Sequence, residues 1–271
     1  MSCTYIHGYS KSEQTRLIEQ AKTLAPIVFG GLRFQDSETL LEIGCGVGAQ
    51  TKQLLERWPQ LKITSIDKSP AHLAAAANNL RTEVSKGQTC LIRAQAEALP
   101  FHANLFDTVL TIWVLEHVLQ PTLILSEAVR VLKPGGRILL TEVDNSTFRF
   151  FPRNNIIEAW WSKFNSLQQQ TGADPFIGQK LEDLAQAFDL VSINKEFLYV
   201  VSTRHTPVRR LELLRYLRDL LLSGAESLKQ AGYVDDADER CLIAEFDLLE
   251  SCPEVDFQYL AVRLCAMKPA N

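Results

Sequence analysis

Three glycines at alternate positions, directly after an apolar run, constrain the fold of this chain more than any other feature. Residues 40–43 read Leu-Leu-Glu-Ile, Gly44, Gly46 and Gly48 follow, and a helix-like segment begins at Ala49. Because glycine has no Cβ, the backbone can turn sharply there and approach a ligand closely. A strand that ends this way before a helix N-terminus presents free N–H groups to a nucleotide or a carboxylate.

Apolar runs alternate with helical stretches from residue 39 to about residue 145. Strands are predicted at 39–43, 62–66, 90–94, 106–113 and 137–143, with helices at 49–58, 70–80 and 121–132. This alternation is typical of a parallel sheet with helices on both faces. We therefore expect an α/β fold of the doubly wound type.

The alternation changes after about residue 145. Helices are predicted at 154–170, 178–188, 207–222 and 235–250, and strands at 190–202 and 256–267. Another helix is predicted at 12–29, with Ser10 and Glu13 as a possible capping box. We assign six aromatic residues to the later helical additions and expect them to line an apolar substrate chamber: Phe148, Phe150, Phe151, Trp160, Trp161 and Phe164.

Composition excludes several classes of function. The formal net charge is −4, so the chain has no overall positive potential that would attract nucleic acid. No apolar run reaches the ~18 residues of a membrane span, and residues 1–7 do not read as a secretory signal. The six cysteines are scattered without a Cys-x-x-Cys pair, which favours reduced thiols in a cytoplasmic protein and predicts no metal site.

Further motifs follow the glycine turn in a fixed order. The second strand is followed by Asp67, and the third strand by residues 96–101, which read Ala-Glu-Ala-Leu-Pro-Phe. The fourth strand begins with Phe-Asp-Thr-Val at 106–109 and is followed by Val-Leu-Glu-His at 114–117. The fifth strand is preceded by Leu-Lys-Pro-Gly-Gly-Arg at 132–137. Together with residues 41–48, this set resembles the motifs of class I S-adenosylmethionine-dependent methyltransferases. The resemblance covers residues 39–145 and implies that S-adenosyl-L-methionine is the cofactor.

The resemblance also implies an overall organisation. The sheet should be seven-stranded and mostly parallel, with an antiparallel last strand and helical lid insertions. Residues 1–38 should form an N-terminal helical lid. Residues 39–271 should form the methyltransferase domain, with helical insertions at about 148–172 and 204–250.

The family's cofactor contacts fall on matching positions. Asp67 stands 21 residues after Gly46, near the ~20 expected of an acid that accepts from ribose hydroxyls. Gln95 occupies a position where the family often has Asp facing adenine, and its amide oxygen can also accept. The predicted cofactor-binding residues are Glu42, Gly44, Cys45, Gly46, Asp67, Lys68, Gln95, Ala96, Glu97 and Trp113.

Methyl transfer needs a base only if the nucleophile starts protonated. His117 is the first candidate because it follows the fourth strand, on the rim where parallel-sheet sites form. His7 is the second, in an N-terminal segment able to close as a lid. Substrate contacts are predicted from Tyr5, Tyr9, Glu142 and Trp160. The arginines at 204–218 are either a solvated helix face or a clamp for an acidic substrate group.

The main functional hypothesis is methyl transfer to a small organic molecule. Apolar and aromatic substrates are the classes considered. An NAD-dependent oxidoreductase remains an alternative, because Gly44-x-Gly46-x-x-Ala49 nearly fits that fingerprint too. A protein or RNA methyltransferase and a non-catalytic cofactor-binding scaffold also stay open. The sequence leaves the acceptor atom undetermined, together with the oligomeric state, for which pairing through the N-terminal helix is one option.

Overall fold

The computed structural model describes residues 5–270, in which seven strands form one sheet in the order β3-β2-β1-β4-β5-β7-β6. The strands are β1 (Thr39–Ile43), β2 (Lys62–Asp67), β3 (Thr89–Arg93), β4 (Phe106–Ile112), β5 (Leu132–Phe151), β6 (Val191–Ser202) and β7 (Asp256–Met267). Neighbouring strands from β3 to β5 pair in parallel, whereas β7 runs antiparallel to both β5 and β6. The predicted fold class is thereby confirmed.

Helices flank the sheet and extend one end of it. They are α1 (Lys11–Val28), α2 (Ala49–Arg57), α3 (Pro70–Asn79), α4 (Arg81–Ser85), α5 (Pro121–Val131), α6 (Asn155–Gln170), α7 (Leu181–Gln186), α8 (Pro207–Ser223), α9 (Ala225–Gln230) and α10 (Asp236–Ser251). Short 3-10 turns lie at Leu115–His117 and Ile177–Lys180. Among the described residues, no helix combines the length and the hydropathy that crossing a membrane requires.

Two apolar clusters form the core, one on each side of the sheet. One joins α1 and α2 to the later helices α6, α8, α9 and α10. The other joins the sheet to α5 and α7. Because α1 and α8 share the first cluster, the N-terminal helix and the C-terminal additions pack on each other.

The fifth strand is longer than the sequence predicted. The prediction ended it at residue 143, but β5 continues to Phe151 because β7 pairs with it on both sides of an irregularity between Asp144 and Arg149. Phe148 and Phe150 therefore lie in a strand, where both are fully buried, and Phe151 is 51% exposed. Their assignment to helical additions was wrong, because cross-strand pairing with a distant segment overrides local pattern.

Two smaller expectations also differ. The predicted helix at 178–188 is a 3-10 turn followed by α7, which ends at Gln186. The side chain of Ser10 accepts a hydrogen bond from the Glu13 amide at 3.1 Å, but the Glu13 carboxylate binds Tyr5 and Arg16 rather than completing a capping box. Cys45, Cys90, Cys241, Cys252 and Cys265 are free thiols, and Cys3 lies outside the described residues.

Candidate functional site

The glycine turn lies at the carboxyl end of β1, where it meets the end of β2. The amides of Gly44 and Cys45 both donate to the Ile66 carbonyl at 2.9 Å. Gly44 and Gly46 have φ angles of 74° and 54°, a region that side chains rarely adopt. A Cβ on Gly44 would lie 2.6 Å from Val114 Cγ2, so this turn also requires glycine for packing against the segment after β4.

Asp67 fixes the geometry of the same turn. Its Oδ2 accepts from the Gly46 amide at 2.9 Å and its Oδ1 from the Ser69 amide at 2.7 Å. Burial acts to raise the pKa of Asp67, but the neighbouring His72 ring and the two amides outweigh it and hold the pKa below its ordinary value. The carboxylate therefore stays ionised and bound to the turn at neutral pH.

Glu42 lies behind the glycine turn. Its carboxylate accepts from the Thr51 hydroxyl and, at 3.1 Å, from the Ser65 hydroxyl. Burial raises the pKa of Glu42 to about 7, opposed by these two hydroxyls, while the charge of Asp67 adds to the rise. Glu42 is not among the residues that line the adjoining cavity.

A deep cavity opens above the turn and continues beneath the later helices. Its first part, the turn side, is lined by Gly44, Cys45, Gly46, Val47, Gln50, Asp67, Lys68, His72, Ala94, Ala96, Glu97, Trp113 and Val114. Its second part, the helical chamber, is lined by Val143, Asn145, Trp161, Phe164, Val200, Tyr216, Leu220, Tyr259 and Ala261. Tyr5, His7, Arg16, Glu116 and His117 also line the cavity.

Three polar atoms on the turn side are buried without a hydrogen-bond partner among the described residues. They are the Gln50 Oε1, the His72 Nε2 and the Trp113 Nε1. Trp113 also has a φ of 55°, which is a strained conformation for a bulky side chain. Unsatisfied polar atoms and backbone strain both concentrate at functional sites. This side of the cavity is suited to a polar ligand.

The helical chamber is mostly aromatic. Trp161 stacks on Phe164 with ring centroids 5.3 Å apart, and its indole N–H donates to the Asn145 carbonyl at 2.9 Å. The side-chain oxygen of Asn145 accepts from the Tyr259 hydroxyl at 2.6 Å. Tyr216 adds a further ring, from α8. The chamber is thus an apolar space with a few fixed polar groups, as small-molecule sites usually are.

The N-terminal segment covers the cavity from one side. Tyr5 donates to Glu13 at 2.9 Å, and the His7 Nδ1 lies 2.6 Å from the Ser223 hydroxyl at the end of α8. The Ile6 carbonyl accepts from the Ser227 hydroxyl at 2.8 Å. Burial lowers the pKa of His7 well below its ordinary value, with Arg16 and His117 adding to the effect. Residues 1–4 of the predicted N-terminal lid lie outside the described residues.

Arg16 is a cavity residue that sequence reasoning missed. Its guanidinium donates twice to Glu13, at 2.6 and 2.7 Å, and once to Gln20 at 2.6 Å. Burial would lower its pKa, but Glu13 outweighs burial and raises it, so the charge is retained. The apolar periodicity of α1 gave no signal for this pair, because its burial depends on packing against distant helices.

The turn after β4 is held by a buried acid. Glu142 accepts from the amides of Val114 and Leu115 at 3.1 and 2.9 Å, and from that of Glu116 at 3.3 Å. Burial, with the Glu116 charge adding, raises the pKa of Glu142 to about 8. Burial likewise lowers the pKa of His117, whereas the neighbouring Glu116 opposes that change.

Most of the predicted site residues meet in the cavity. Its lining includes Tyr5, His7, Tyr9, Gly44, Cys45, Gly46, Asp67, Lys68, Ala96, Glu97, Trp113 and His117. Four others lie off its wall: Glu42, Gln95, Glu142 and Trp160. Trp160 instead points to α8, where its indole N–H donates to the Leu221 carbonyl at 3.2 Å. Besides Arg16, sequence reasoning missed Gln50, His72, Glu116, Asn145, Tyr216 and Tyr259.

The arginine-rich segment is engaged outside the cavity. Arg204 pairs with Glu254 at 2.6 Å, and Arg218 with Asp247 at 3.3 Å. Arg210 donates to the carbonyls of Leu249 and Glu250. These contacts tie α8 to the end of α10, which favours the structural interpretation of the segment over a substrate clamp.

Comparison with known proteins matches one part of the chain to a family. Residues 41–140 match a family model described as a methyltransferase domain. Over 108 residues the chain is 32% identical to the ubiquinone/menaquinone biosynthesis C-methyltransferase UbiE of Syntrophotalea carbinolica, covering 40% of this chain and 45% of that protein. Over 111 residues it is 30% identical to a malonyl-[acyl-carrier protein] O-methyltransferase of Paenibacillus sp., covering 40% of each. The match thus spans less than half the length of these curated relatives.

Solved structures share the fold over nearly the whole chain. A phosphoethanolamine N-methyltransferase 2 of Haemonchus contortus, in complex with S-adenosyl-L-methionine, has a TM-score of 0.61 at 19% identity, covering 97% of this chain and 57% of that one. The [4+2]-cyclase SpnF has a TM-score of 0.58 at 19% identity, covering 92% of this chain and 81% of that one. The family match identifies residues 41–140 as a methyltransferase domain, and these solved structures share the fold of the chain.

Proposed function

We propose that this protein transfers a methyl group from S-adenosyl-L-methionine to a small organic acceptor. The observation that carries the proposal is the continuity of the cavity from the glycine turn to the helical chamber. One end suits a polar nucleotide and the other an apolar molecule, so the two ligands would meet near the turn after β4. Methyl transfer is an in-line displacement, and alignment of the two ligands supplies much of its rate.

The turn side fits the methyl donor. Asp67 would accept hydrogen bonds from the ribose hydroxyls, and the backbone at Gly44 and Gly46 is open enough for a close approach. Ala96 and Glu97 would contact the adenine ring, with Gln95 as a neighbouring acceptor. The unsatisfied Trp113 Nε1 and His72 Nε2 give the donor further groups to bind. The donor supplies an activated methyl group on a sulfonium.

The helical chamber supports a small acceptor in preference to a macromolecule. Trp161 is 6% exposed and Phe164 2% exposed, so an acceptor in contact with them is enclosed by protein. A protein side chain or a folded RNA would need a wider opening. His117 is our first candidate base and His7 the second, because both are half-buried in the cavity wall with pKa values below the ordinary one. Tyr5 and Tyr9 would close over the bound ligands.

A cofactor-binding protein with another activity is the second candidate. The observation that favours it is the fold shared with a [4+2]-cyclase at a TM-score of 0.58, since fold alone does not determine the reaction. The two candidate functions can be distinguished by whether S-adenosylhomocysteine is formed. A methyltransferase releases S-adenosylhomocysteine only when an acceptor is present, whereas a cyclase-like protein keeps its donor intact.

Calorimetry with S-adenosylhomocysteine is the first test, and we expect binding by the wild type that Asp67→Ala reduces at least tenfold. The second test is incubation with methyl-labelled S-adenosylmethionine and a panel of small aromatic alcohols, phenols, amines and enolisable ketones, read by mass spectrometry. Labelled product confirms the proposal. Thermal protection by NADH but not by S-adenosylhomocysteine would contradict it and favour the oxidoreductase alternative.

Cytoplasmic localisation and a homo-oligomer through α1 stay proposals. Within the chain, α1 buries Leu24 and Val28 to 1% and 2% exposure. Self-association through this helix would therefore use its solvent-facing residues. Size-exclusion chromatography with light scattering tests the oligomer, and a monomer at micromolar concentration would contradict it.

A further inference from the structure

Glu116 is a buried carboxylate that the proposed function does not use. The residue is 7% exposed and lines the cavity. Its Oε2 accepts only a long hydrogen bond, 3.4 Å, from the Gln168 Nε2, and its Oε1 lies 3.6 Å from the His117 Nε2. Charge-assisted hydrogen bonds are ordinarily shorter, near 2.7–2.9 Å. Glu116 is therefore a weakly satisfied anion whose neighbour is an imidazole.

The charge of Glu116 extends through the helical chamber. Burial is the largest cause that raises the pKa of Tyr5, Tyr216 and Tyr259, and the Glu116 carboxylate adds to the rise in each. Arg16, a buried cation on the same cavity, is already bound by both oxygens of Glu13.

His117 has the geometry of a base that depends on this neighbour. Neither of its ring nitrogens makes a hydrogen bond to the described residues. The Nε2 faces Glu116, which leaves the Nδ1 to accept a proton. The Tyr5 ring packs edge-on against it at 5.0 Å, with the His7 ring at 5.9 Å. In ligand-free structures such catalytic contacts are often long, and they tighten when the site is filled.

We propose that Glu116 is a positioning residue that acts through His117, the base that takes a proton from the acceptor nucleophile. This inference rests on the proposed function. The nucleophilic atom forms a bond to the methyl carbon, and the bond between that carbon and sulfur breaks with its electron pair left on sulfur. The proton of the nucleophilic atom passes to the His117 Nδ1, and the Glu116 carboxylate stabilises the resulting imidazolium.

The charged groups around His117 explain why it needs the carboxylate. Burial is the largest cause that lowers the pKa of His117, and the cations Arg16 and Lys68 lower it further. Glu116 and, from α1, Glu13 oppose them. When the Glu116 charge is removed, burial and two cations still oppose protonation of His117, and only Glu13 favours it. The imidazolium would then form at a large cost in a buried site.

The first test needs no acceptor. The pH titration of the His117 ring protons is followed by NMR in the wild type and in Glu116→Gln, with His117→Asn to assign the signal. We expect the midpoint in Glu116→Gln to move to lower pH by about one unit or more. The matched control is Asp144→Asn, which neutralises a carboxylate that binds Ser146 and Gln179 outside the cavity. An unchanged midpoint in Glu116→Gln would overturn the proposal.

The second test uses an acceptor from the labelled-donor panel. In Glu116→Gln we expect kcat to fall about 10²-fold, with KM changed less than threefold and the acidic limb of the pH profile moved to lower pH. Glu116→Asp keeps the charge and should recover kcat to within about tenfold of the wild type. A Glu116→Gln enzyme as active as Asp144→Asn would overturn the proposal. Failure of the wild type to bind S-adenosylhomocysteine would instead refute the proposed function.

Discussion

The turn side and the helical chamber form one cavity but are built in different ways. The turn side comes from the ends of four neighbouring strands, β1 to β4, with much of its geometry set by backbone hydrogen bonds and by Asp67. The helical chamber comes from side chains on α6, α8 and strands β5 to β7. Backbone geometry tolerates little change, whereas a chamber of side chains can be reshaped one residue at a time.

This difference explains why relatives with different acceptors share the first region. The family model matches residues 41–140, which contain β1 to β4 and the glycine turn. The chamber residues Trp161, Tyr216 and Tyr259 lie beyond that match. The family match and most of the helical chamber thus lie in different parts of the chain.

The largest effect is expected from Gly44→Ala. The substitution combines a φ of 74° with a Cβ that would lie 2.6 Å from Val114, so both turn and neighbour must move. We expect binding of S-adenosylhomocysteine to weaken by about 10²-fold or more, measured by calorimetry. Gly87→Ala is the matched control, because Gly87 has a φ of 69° but nothing within 4 Å of the added Cβ. Equal losses in both variants would refute the argument from packing.

The next effect concerns the acid of the turn side. Asp67→Asn removes the charge and places an N–H₂ group against one of two donating amides. A lost charge-assisted hydrogen bond of about 2 kcal/mol corresponds to roughly 30-fold weaker binding of S-adenosylhomocysteine. Glu97→Gln, on an exposed residue of the cavity rim, should weaken binding less than threefold. A larger loss of binding in Glu97→Gln than in Asp67→Asn would refute the assignment of the ribose contact to Asp67.

Adjacent tryptophans provide a test of the helical chamber. Both indoles donate to a backbone carbonyl, but Trp161 lines the cavity and Trp160 does not. We expect Trp161→Phe to raise the acceptor KM by about tenfold through the altered contact surface. Trp160→Phe should leave KM unchanged and lower the free energy of unfolding by about 1 kcal/mol. Steady-state kinetics and urea unfolding measure the two effects, and an acceptor KM sensitive only to Trp160→Phe would contradict the assignment.

The smallest effect is a change in pH dependence. Burial raises the pKa of Glu142 in the folded protein to about 8 from its ordinary value of 4.5, so between these pH values the unfolded chain has released a proton that the folded protein keeps. The contribution of Glu142 to the free energy of unfolding is fully present below pH 4.5 and is lost as the pH rises toward 8. Glu142→Gln removes this loss while its amide oxygen still accepts from the turn after β4.

We expect the slope of unfolding free energy against pH to become less negative by up to about 1.4 kcal/mol per unit in that window. Urea unfolding at four pH values measures it, with Asp144→Asn as the control. An unchanged slope in Glu142→Gln would show that Glu142 is ionised in the folded protein.

The fold could be predicted because its signals are local. Glycine spacing at 44–48, alternation of apolar runs and the position of Asp67 are all properties of short segments, and they correctly predicted the parallel strands. The antiparallel direction of β7 was predicted from the family resemblance. The extension of β5 to Phe151 could not be predicted, since its pairing partner β7 lies more than a hundred residues away. The same cause misassigned Phe148 and Phe150 to helices.

By itself the sequence determined the glycine turn and the parallel half of the sheet, and it predicted which residues would approach a methyl donor. Only the tertiary structure decided that Trp161 and not Trp160 lines the cavity, that Arg16 is bound by Glu13, and that Glu116 lies beside His117 with few partners. The physical reason is the range of the forces involved. Backbone turns follow from neighbouring residues, whereas burial and the electrostatics that accompany it depend on segments brought together by folding.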